Sequence, residues 1–224
     1  MSSSKYAEIG DGPDTIDNTS VDVAIQSKVY LLLTAHFSII TGVSYLLLLA
    51  PYVMFALLID NLGIFYFFIF GAIVCIGLMF CLGKQFPHNL IIFGVFSLFI
   101  GLIFGSICVL AEARSPLVVL LVLVACCCVL SVGSLFTAEQ LLATLVVAFI
   151  TLISSLGVVY VLNIFSMVGI ITSLVILSIL LAWMVCRVHL AIETSSDNDV
   201  MFSSISIYLD IIIIALCCLQ CCDR

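Results

Sequence analysis

The sequence predicts an all-α protein, a polytopic membrane bundle of six to seven transmembrane helices whose last helix is central or re-entrant. Of its 224 residues, 65% are hydrophobic and 8% are charged, against about 45–50% apolar and about 25% charged in a soluble globular domain. From Val29 onward, apolar runs recur at the length of about 20 residues that a helix needs to cross a bilayer. The breaks between the runs are short and hold the Pro, Gly, Asn and charged residues that are typical of turns.

The segment before the first run has a different composition. Residues 1–27 hold five carboxylates, Gly10, Gly12 and Pro13, and such a segment cannot bury enough apolar surface to fold. They predict a disordered acidic cytosolic tail, and residues 28–224 predict the transmembrane helical bundle. Because the tail supplies most of the net charge of −7, that charge indicates no nucleic-acid partner.

Seven candidate spans follow in order. They are Val29 to Leu49, Leu62 to Leu82, Leu90 to Leu110, Leu117 to Phe136, Leu141 to Leu162, Ile164 to Cys186, and Met201 to Leu219. Only Asn163 separates the fifth span from the sixth, so several apolar neighbours must unwind to reverse the chain there.

The basic residues predict the orientation, because they concentrate in short cytosolic loops. With a cytosolic N-terminus and seven crossings, four of the six are inside and two outside; the inside group is Lys5, Lys28, Lys84 and Arg187, and the outside pair is Arg114 and Arg224. A re-entrant last segment would bring Arg224 inside, which favours re-entry. The N-terminus is cytosolic in both cases, so the sequon Asn18-Thr19-Ser20 should stay unglycosylated.

Small residues form a stripe on the third span, at Gly94, Ser97, Gly101, Gly105 and Cys108. Their spacing of three or four places them on one helix face, where a neighbouring helix can approach closely. We expect packing within the chain in preference to a homodimer seam.

Asp210 places a carboxylate inside an apolar run, Ile207-Tyr208-Leu209-Asp210-Ile211. The cost is about 2.5–3.5 kcal/mol at mid-helix, so a partner or water is expected. Either Asp210 belongs to an ion or proton path, which we favour, or it only anchors helices. It shares a stripe with small and polar residues that is predicted to face into the bundle, namely Ser203, Ser206, Ile214, Cys217 and Cys221.

Arg187 and His189 close the sixth span. Two interpretations are open. Either both residues are interfacial anchors, or Arg187 pairs with Asp210 and His189 belongs to the same ion pathway. His36 in the first span is either a helix-bonding group, which we favour, or a titrating one.

The cysteine-rich end, Cys217, Cys218, Cys221 and Cys222, contains a Cys-x-x-Cys spacing but no second pair or histidine cluster to complete a zinc site. Reversible palmitoylation and apolar packing are the two interpretations, and no metal site is predicted. The chain has no phosphate-binding loop, zinc-protease motif or nucleophile elbow, and Asp210 has no second intramembrane aspartate. We therefore expect no enzymatic activity and no cofactor.

Three ordered segments carry a family resemblance: Lys28-Val29-Tyr30, Phe86-Pro87-His88-Asn89-Leu90 and Ser206-Ile207-Tyr208-Leu209-Asp210. Together they resemble the transmembrane BAX inhibitor motif family, especially its Golgi anti-apoptotic and Lifeguard branches. The resemblance implies a six-helix bundle around a central last helix, leak of Ca²⁺ as the permeant ion from Golgi or endoplasmic reticulum stores, and suppression of apoptosis.

The resemblance also implies an ion gate in which two aspartates share a proton. Asp210 matches the second aspartate, whereas Arg187 stands where the first belongs. Arginine cannot be deprotonated in a protein, so acid-sensitive gating should be lost or altered, and the positive charge should disfavour Ca²⁺ nearby. The divergent gate and brief loops suit a viral copy.

Two functions follow. One is a Ca²⁺ leak protein that lowers store calcium and inhibits apoptosis. The other is a non-conducting interaction protein with a structural Arg187–Asp210 pair, whose partners besides the bilayer are other membrane proteins or a second copy.

Overall fold

The computed structural model describes residues 13–50, 52, 61–82, 87–110, 115–137, 141–161, 167–194 and 204–210. Its long helices are α1 (Pro13–Leu49), α2 (Leu62–Leu82), α3 (His88–Leu110), α4 (Ser115–Thr137), α5 (Leu141–Val161) and α6 (Met167–Thr194), and a short helix, α7, covers 204–210. Within these ranges there is no strand, and six helices are long and apolar enough to cross a membrane. The predicted all-α polytopic bundle is confirmed.

Helix α1 extends well beyond its membrane-spanning part. The span is Ile25–Leu49, but the helix begins twelve residues earlier, at Pro13. Residues 13–27, for which the sequence predicts disorder, are helical in the structure, while residues 1–12 lie outside the described ranges. Extension from an existing helix avoids the costly nucleation step, and proline is well tolerated in the first helical turn, where its missing N–H leaves no bond unmade.

The bundle is built around α1. It packs against α3 and α4 and more lightly against α6, while α2 packs on α3, and α5 lies between α4 and α6. One face of α1 is accordingly buried, with Tyr30, Leu33, Phe37 and Ile40 almost inaccessible. Since lipid is as apolar as these side chains, close packing and interhelical hydrogen bonds hold such helices together.

The short helix α7 also lies in the interior. Ile205 packs with Met79 of α2 and Phe93 of α3, and Tyr208 contacts the rings of His36 and Phe37 on α1. The described part of the last segment is thus central, as the resemblance implied. Its continuation beyond Asp210 lies outside the described residues.

The glycines of α3 bring its backbone close to α1. A Cβ on Gly101 would lie 2.9 Å from Val43 Cβ, and one on Gly105 would lie 2.9 Å from Ser44 Cα. The Ser44 hydroxyl donates to the Gly101 carbonyl at 3.2 Å. These two glycines pack within the chain, as expected from the stripe.

Gly94 departs from that expectation, because nothing lies within 4 Å of the position of its missing Cβ. Close to this level, the rings of His36, Phe93 and Phe96 lie against one another between α1 and α3, so the two backbones do not need to approach. A glycine contact that the stripe did not predict lies elsewhere. A Cβ on Gly71 of α2 would meet the Phe99 ring of α3 at 2.6 Å.

The outer surface of the bundle is apolar. Exposed side chains on α2 include Tyr66, Phe67, Phe70 and Ile73. In a membrane these side chains contact lipid, and the helices satisfy their backbone groups internally.

Candidate functional site

Two predicted site residues, Arg187 and Asp210, meet in the folded chain. Arg187 lies near the end of the α6 span, which closes at Leu190, and Asp210 is the last described residue of α7. The Arg187 Nε donates a hydrogen bond to Asp210 Oδ2 at 2.7 Å. The contact is a charge-assisted hydrogen bond between two side chains of opposite charge.

Ser206 completes the contact. Arg187 Nη2 donates to Ser206 Oγ at 3.3 Å, and Ser206 precedes Asp210 by four residues, so both lie on one face of α7. The sequence placed Ser206 and Asp210 on one stripe, yet it did not indicate that a single guanidinium would bind both. We call these three residues the α6–α7 clamp.

The clamp is partly exposed, with 37% of the Arg187 side chain and 27% of the Asp210 side chain accessible. The described members of the predicted stripe, Ser206 and Asp210, are partly buried and face Arg187 of α6. Ile205, Ile207 and Tyr208 on the neighbouring face of α7 are buried. Burying apolar side chains while leaving a charge partly hydrated avoids the desolvation cost of a fully buried ion pair.

His189 does not join the clamp. It follows Arg187 by two residues, which places it about 200° further around α6, and the structure gives it no hydrogen bond or ion pair to Asp210 among the described residues. The four cysteines at 217, 218, 221 and 222 lie outside the described ranges.

A second polar contact lies deep in the bundle. The fully buried His36 on α1 has its Nδ1 2.6 Å from Ser97 Oγ on α3, and Ser97 Oγ donates to the Phe93 carbonyl at 2.8 Å. This geometry corresponds to the helix-bonding interpretation of His36. With both side chains fully buried, the pair joins helices and has no surface on which to meet a substrate.

Aromatic rings enclose His36. The ring of Phe96 stacks on it with centroids 5.7 Å apart, that of Phe93 lies 5.3 Å away, and the edge-on ring of Tyr208 lies 4.2 Å away. The sequence identified His36 but not these partners, because they lie on α3 and α7, far along the chain. No local pattern could have shown the contact.

A family model described as inhibitor of apoptosis-promoting Bax1 matches residues 23–222. The chain belongs to this family. Within the Bax1 inhibitor family it is a multi-pass integral membrane protein whose spanning helices contact the lipid bilayer. No curated protein and no solved structure gives a significant match to this chain.

In this member of the Bax1 inhibitor family, the side chain that contacts Asp210 is Arg187, whereas the resemblance implies a second aspartate there. Two carboxylates in contact can share a proton, whereas a guanidinium and a carboxylate attract each other without one.

The described residues of the Bax1 inhibitor family chain contain no group of three or more His, Cys, Asp or Glu side chains that could hold a metal ion. The described cysteines are free thiols. Cys127 Sγ lies 3.8 Å from Met184 Sδ in the buried core, a contact typical of soft apolar packing.

Proposed function

We propose that this chain suppresses apoptosis from the Golgi or endoplasmic reticulum membrane by an ion leak that lowers stored Ca²⁺. In this proposal its N-terminus is cytosolic, it belongs with the Golgi anti-apoptotic and Lifeguard branches, and it carries out no catalytic step and uses no cofactor. The observation that carries the proposal is the ion pair of Arg187 and Asp210, a charged contact at the end of a membrane span. Ionisable residues within membrane segments commonly mark ion paths.

Arg187 changes how such a path would open. Since the guanidinium keeps its proton throughout the physiological range, Asp210 is held by a permanent positive charge. Opening then requires separation of the clamp rather than loss of a shared proton. We therefore expect a leak that hardly changes between neutral and mildly acidic pH.

Ca²⁺ flux through the purified protein in liposomes tests this proposal. Wild type should conduct similarly at about pH 8 and about pH 6, Asp210→Asn should lose flux, and Arg187→Asp should make flux sensitive to pH because it creates two facing carboxylates. Lys28→Gln is the matched control: it removes an exposed basic charge from α1 and should leave flux and its pH response unchanged. Equal flux in wild type and Asp210→Asn would show that Asp210 does not belong to the ion path.

A second candidate function is favoured by the geometry of the clamp. Arg187 joins Asp210 and Ser206, which is also how a structural pair would fasten α7 to α6. The chain would then bind other membrane proteins or a second copy through its helices and conduct nothing.

This candidate predicts an effect on folding in place of flux. Asp210→Asn should lower the abundance of folded protein, and Arg187→Met combined with Asp210→Leu should restore it, because removing both charges leaves neither one unpaired. Size-exclusion chromatography of the membrane-extracted protein measures the folded fraction. Loss of flux in Asp210→Asn at normal abundance would decide for the leak.

A further inference from the structure

Two different surfaces hold α7 in place. On one side, Ser206 and Asp210 bind Arg187 of α6. On the other side, Tyr208 is buried against α1 and α3, with its ring edge-on to His36 at a centroid distance of 4.2 Å and 5.8 Å from that of Phe96. Tyr208, which lies midway between the two clamp members on α7, therefore helps to dock the helix into the bundle.

The His36 ring offers Tyr208 a fixed support. Its Nδ1 is bonded to Ser97, whose hydroxyl is in turn anchored to the Phe93 carbonyl, and Phe96 stacks on its face at an interplanar angle of 6°. The Nε2 atom is buried and has no hydrogen-bond partner in the described part of the chain. The orientation of the ring thus depends on the Ser97 bond and the ring contacts.

The helical backbone of α7 links Tyr208 to Asp210. Both residues belong to α7, two positions apart and about 200° around the helix axis, so their side chains point in nearly opposite directions. If Tyr208 moves on the His36 ring, the short helix moves as a body, and Asp210 moves with respect to Arg187. A hydrogen bond of 2.7 Å weakens steeply with a shift of about 1 Å.

We propose that His36 is a positioning residue for the α6–α7 clamp and acts through Tyr208. The His36 ring, which is held by Ser97, determines the position of the Tyr208 ring and thereby the distance between Asp210 and Arg187. The role of this arrangement as a gate rests on the proposed function, while the positioning itself can be measured without any flux.

The test is the thermodynamic coupling between Arg187 and Asp210. Unfolding temperatures in detergent are measured for wild type, Arg187→Gln, Asp210→Asn and the double variant, and the same four forms are made with His36→Phe. In the wild-type background, the decreases in unfolding temperature caused by Arg187→Gln and Asp210→Asn should not add in the double variant, because each substitution breaks the same contact. With His36→Phe the losses should become additive, since the phenyl ring cannot bond Ser97 and the clamp is no longer held in register.

A purely structural role of His36 predicts a different result. His36→Phe would then lower all four unfolding temperatures by the same amount and leave the non-additivity intact, and that outcome would overturn the proposal. Thr41→Val serves as the matched background, because Thr41 is a buried polar residue of α1 whose hydroxyl bonds the Phe37 carbonyl of its own helix. It should preserve the coupling.

Ser97→Ala provides a second route to the same answer if His36→Phe does not fold. It frees Nδ1 while leaving the imidazole in place, and it should also abolish the coupling; coupling retained in Ser97→Ala would contradict the proposal.

The coupling measurement is independent of the flux assay. If no flux is found but His36→Phe abolishes the coupling between Arg187 and Asp210, the leak alone is refuted. If flux depends on Asp210 but His36→Phe leaves the coupling intact, the positioning role alone is refuted.

Discussion

At the scale of single residues, three polar side chains of α1 bond to neighbouring helices. His36 bonds Ser97, Ser44 bonds the Gly101 carbonyl, and the Ser27 hydroxyl donates to the Ser131 carbonyl at 3.3 Å. Hydrocarbon offers these groups no partner, so each of these bonds pairs a buried or partly buried polar atom and also fixes which helix faces meet. A small number of residues thereby determines the relative positions of α1, α3 and α4.

Ser97→Ala should destabilise the fold by about 1–3 kcal/mol, because it leaves the buried Nδ1 of His36 without its partner. Thermal unfolding in detergent micelles measures the effect. Ser154→Ala is the control, since the exposed Ser154 hydroxyl bonds only the Ile150 carbonyl of its own helix, and its unfolding temperature should stay close to that of wild type. Equal losses in the two variants would contradict an interhelical role for the His36 bond.

At the scale of helices, the contact between α1 and α3 changes character along its length. Gly101 and Gly105 let the backbones approach, while near Gly94 the aromatic rings around His36 fill the contact. One helix pair therefore has a close half and a ring-filled half. The ring-filled half is where α7 inserts Tyr208.

Gly105→Ala should destabilise the chain by about 1–3 kcal/mol, since the new methyl group would meet the Ser44 backbone and Leu47, and α1 would have to move. Gly94→Ala should cause no loss and at most a gain of about 1 kcal/mol, because its site has free space and alanine favours helix. The pair of unfolding temperatures measured in one detergent makes the comparison. Destabilisation by Gly94→Ala as large as that by Gly105→Ala would mean that α3 packs differently.

At the scale of the whole molecule, the central place of α7 is the feature with most consequence. The short helix contacts α1, α2, α3 and α6, so it joins elements that are distant in sequence. Any displacement of α7 would therefore change its contacts with several helices at once.

Tyr208→Ala should destabilise the protein on the order of 3 kcal/mol, since it empties a fully packed aromatic site. Tyr160→Ala on α5 removes the same side chain from a position that is 48% exposed and should change stability by about 0.5 kcal/mol or less. Thermal unfolding of both variants without chemical denaturant measures the difference in stability. Similar losses would show that α7 is peripheral.

The proposed orientation in the membrane can be tested by glycosylation. With a cytosolic N-terminus, Asn18 stays unmodified in cells although it begins a sequon, and glycosidase treatment should not alter the electrophoretic mobility of the protein. A sequon inserted into the connection between α1 and α2 should be modified, because that connection then faces the lumen. Glycosylation of Asn18 would instead show that the N-terminus faces the lumen.

Hydropathy alone was sufficient to predict the class of the fold and the first six spans within a few residues, because the length of an apolar run is a local property set by bilayer thickness. The sequence also singled out Arg187 and Asp210, since an ionisable residue within or beside an apolar run is conspicuous by itself. Their hydrogen bond, the seat of Tyr208 on His36 and the open space at Gly94 depended on the tertiary structure. Each of these involves side chains from different helices, and single-helix periodicity carries no information on which faces meet or how closely the backbones approach.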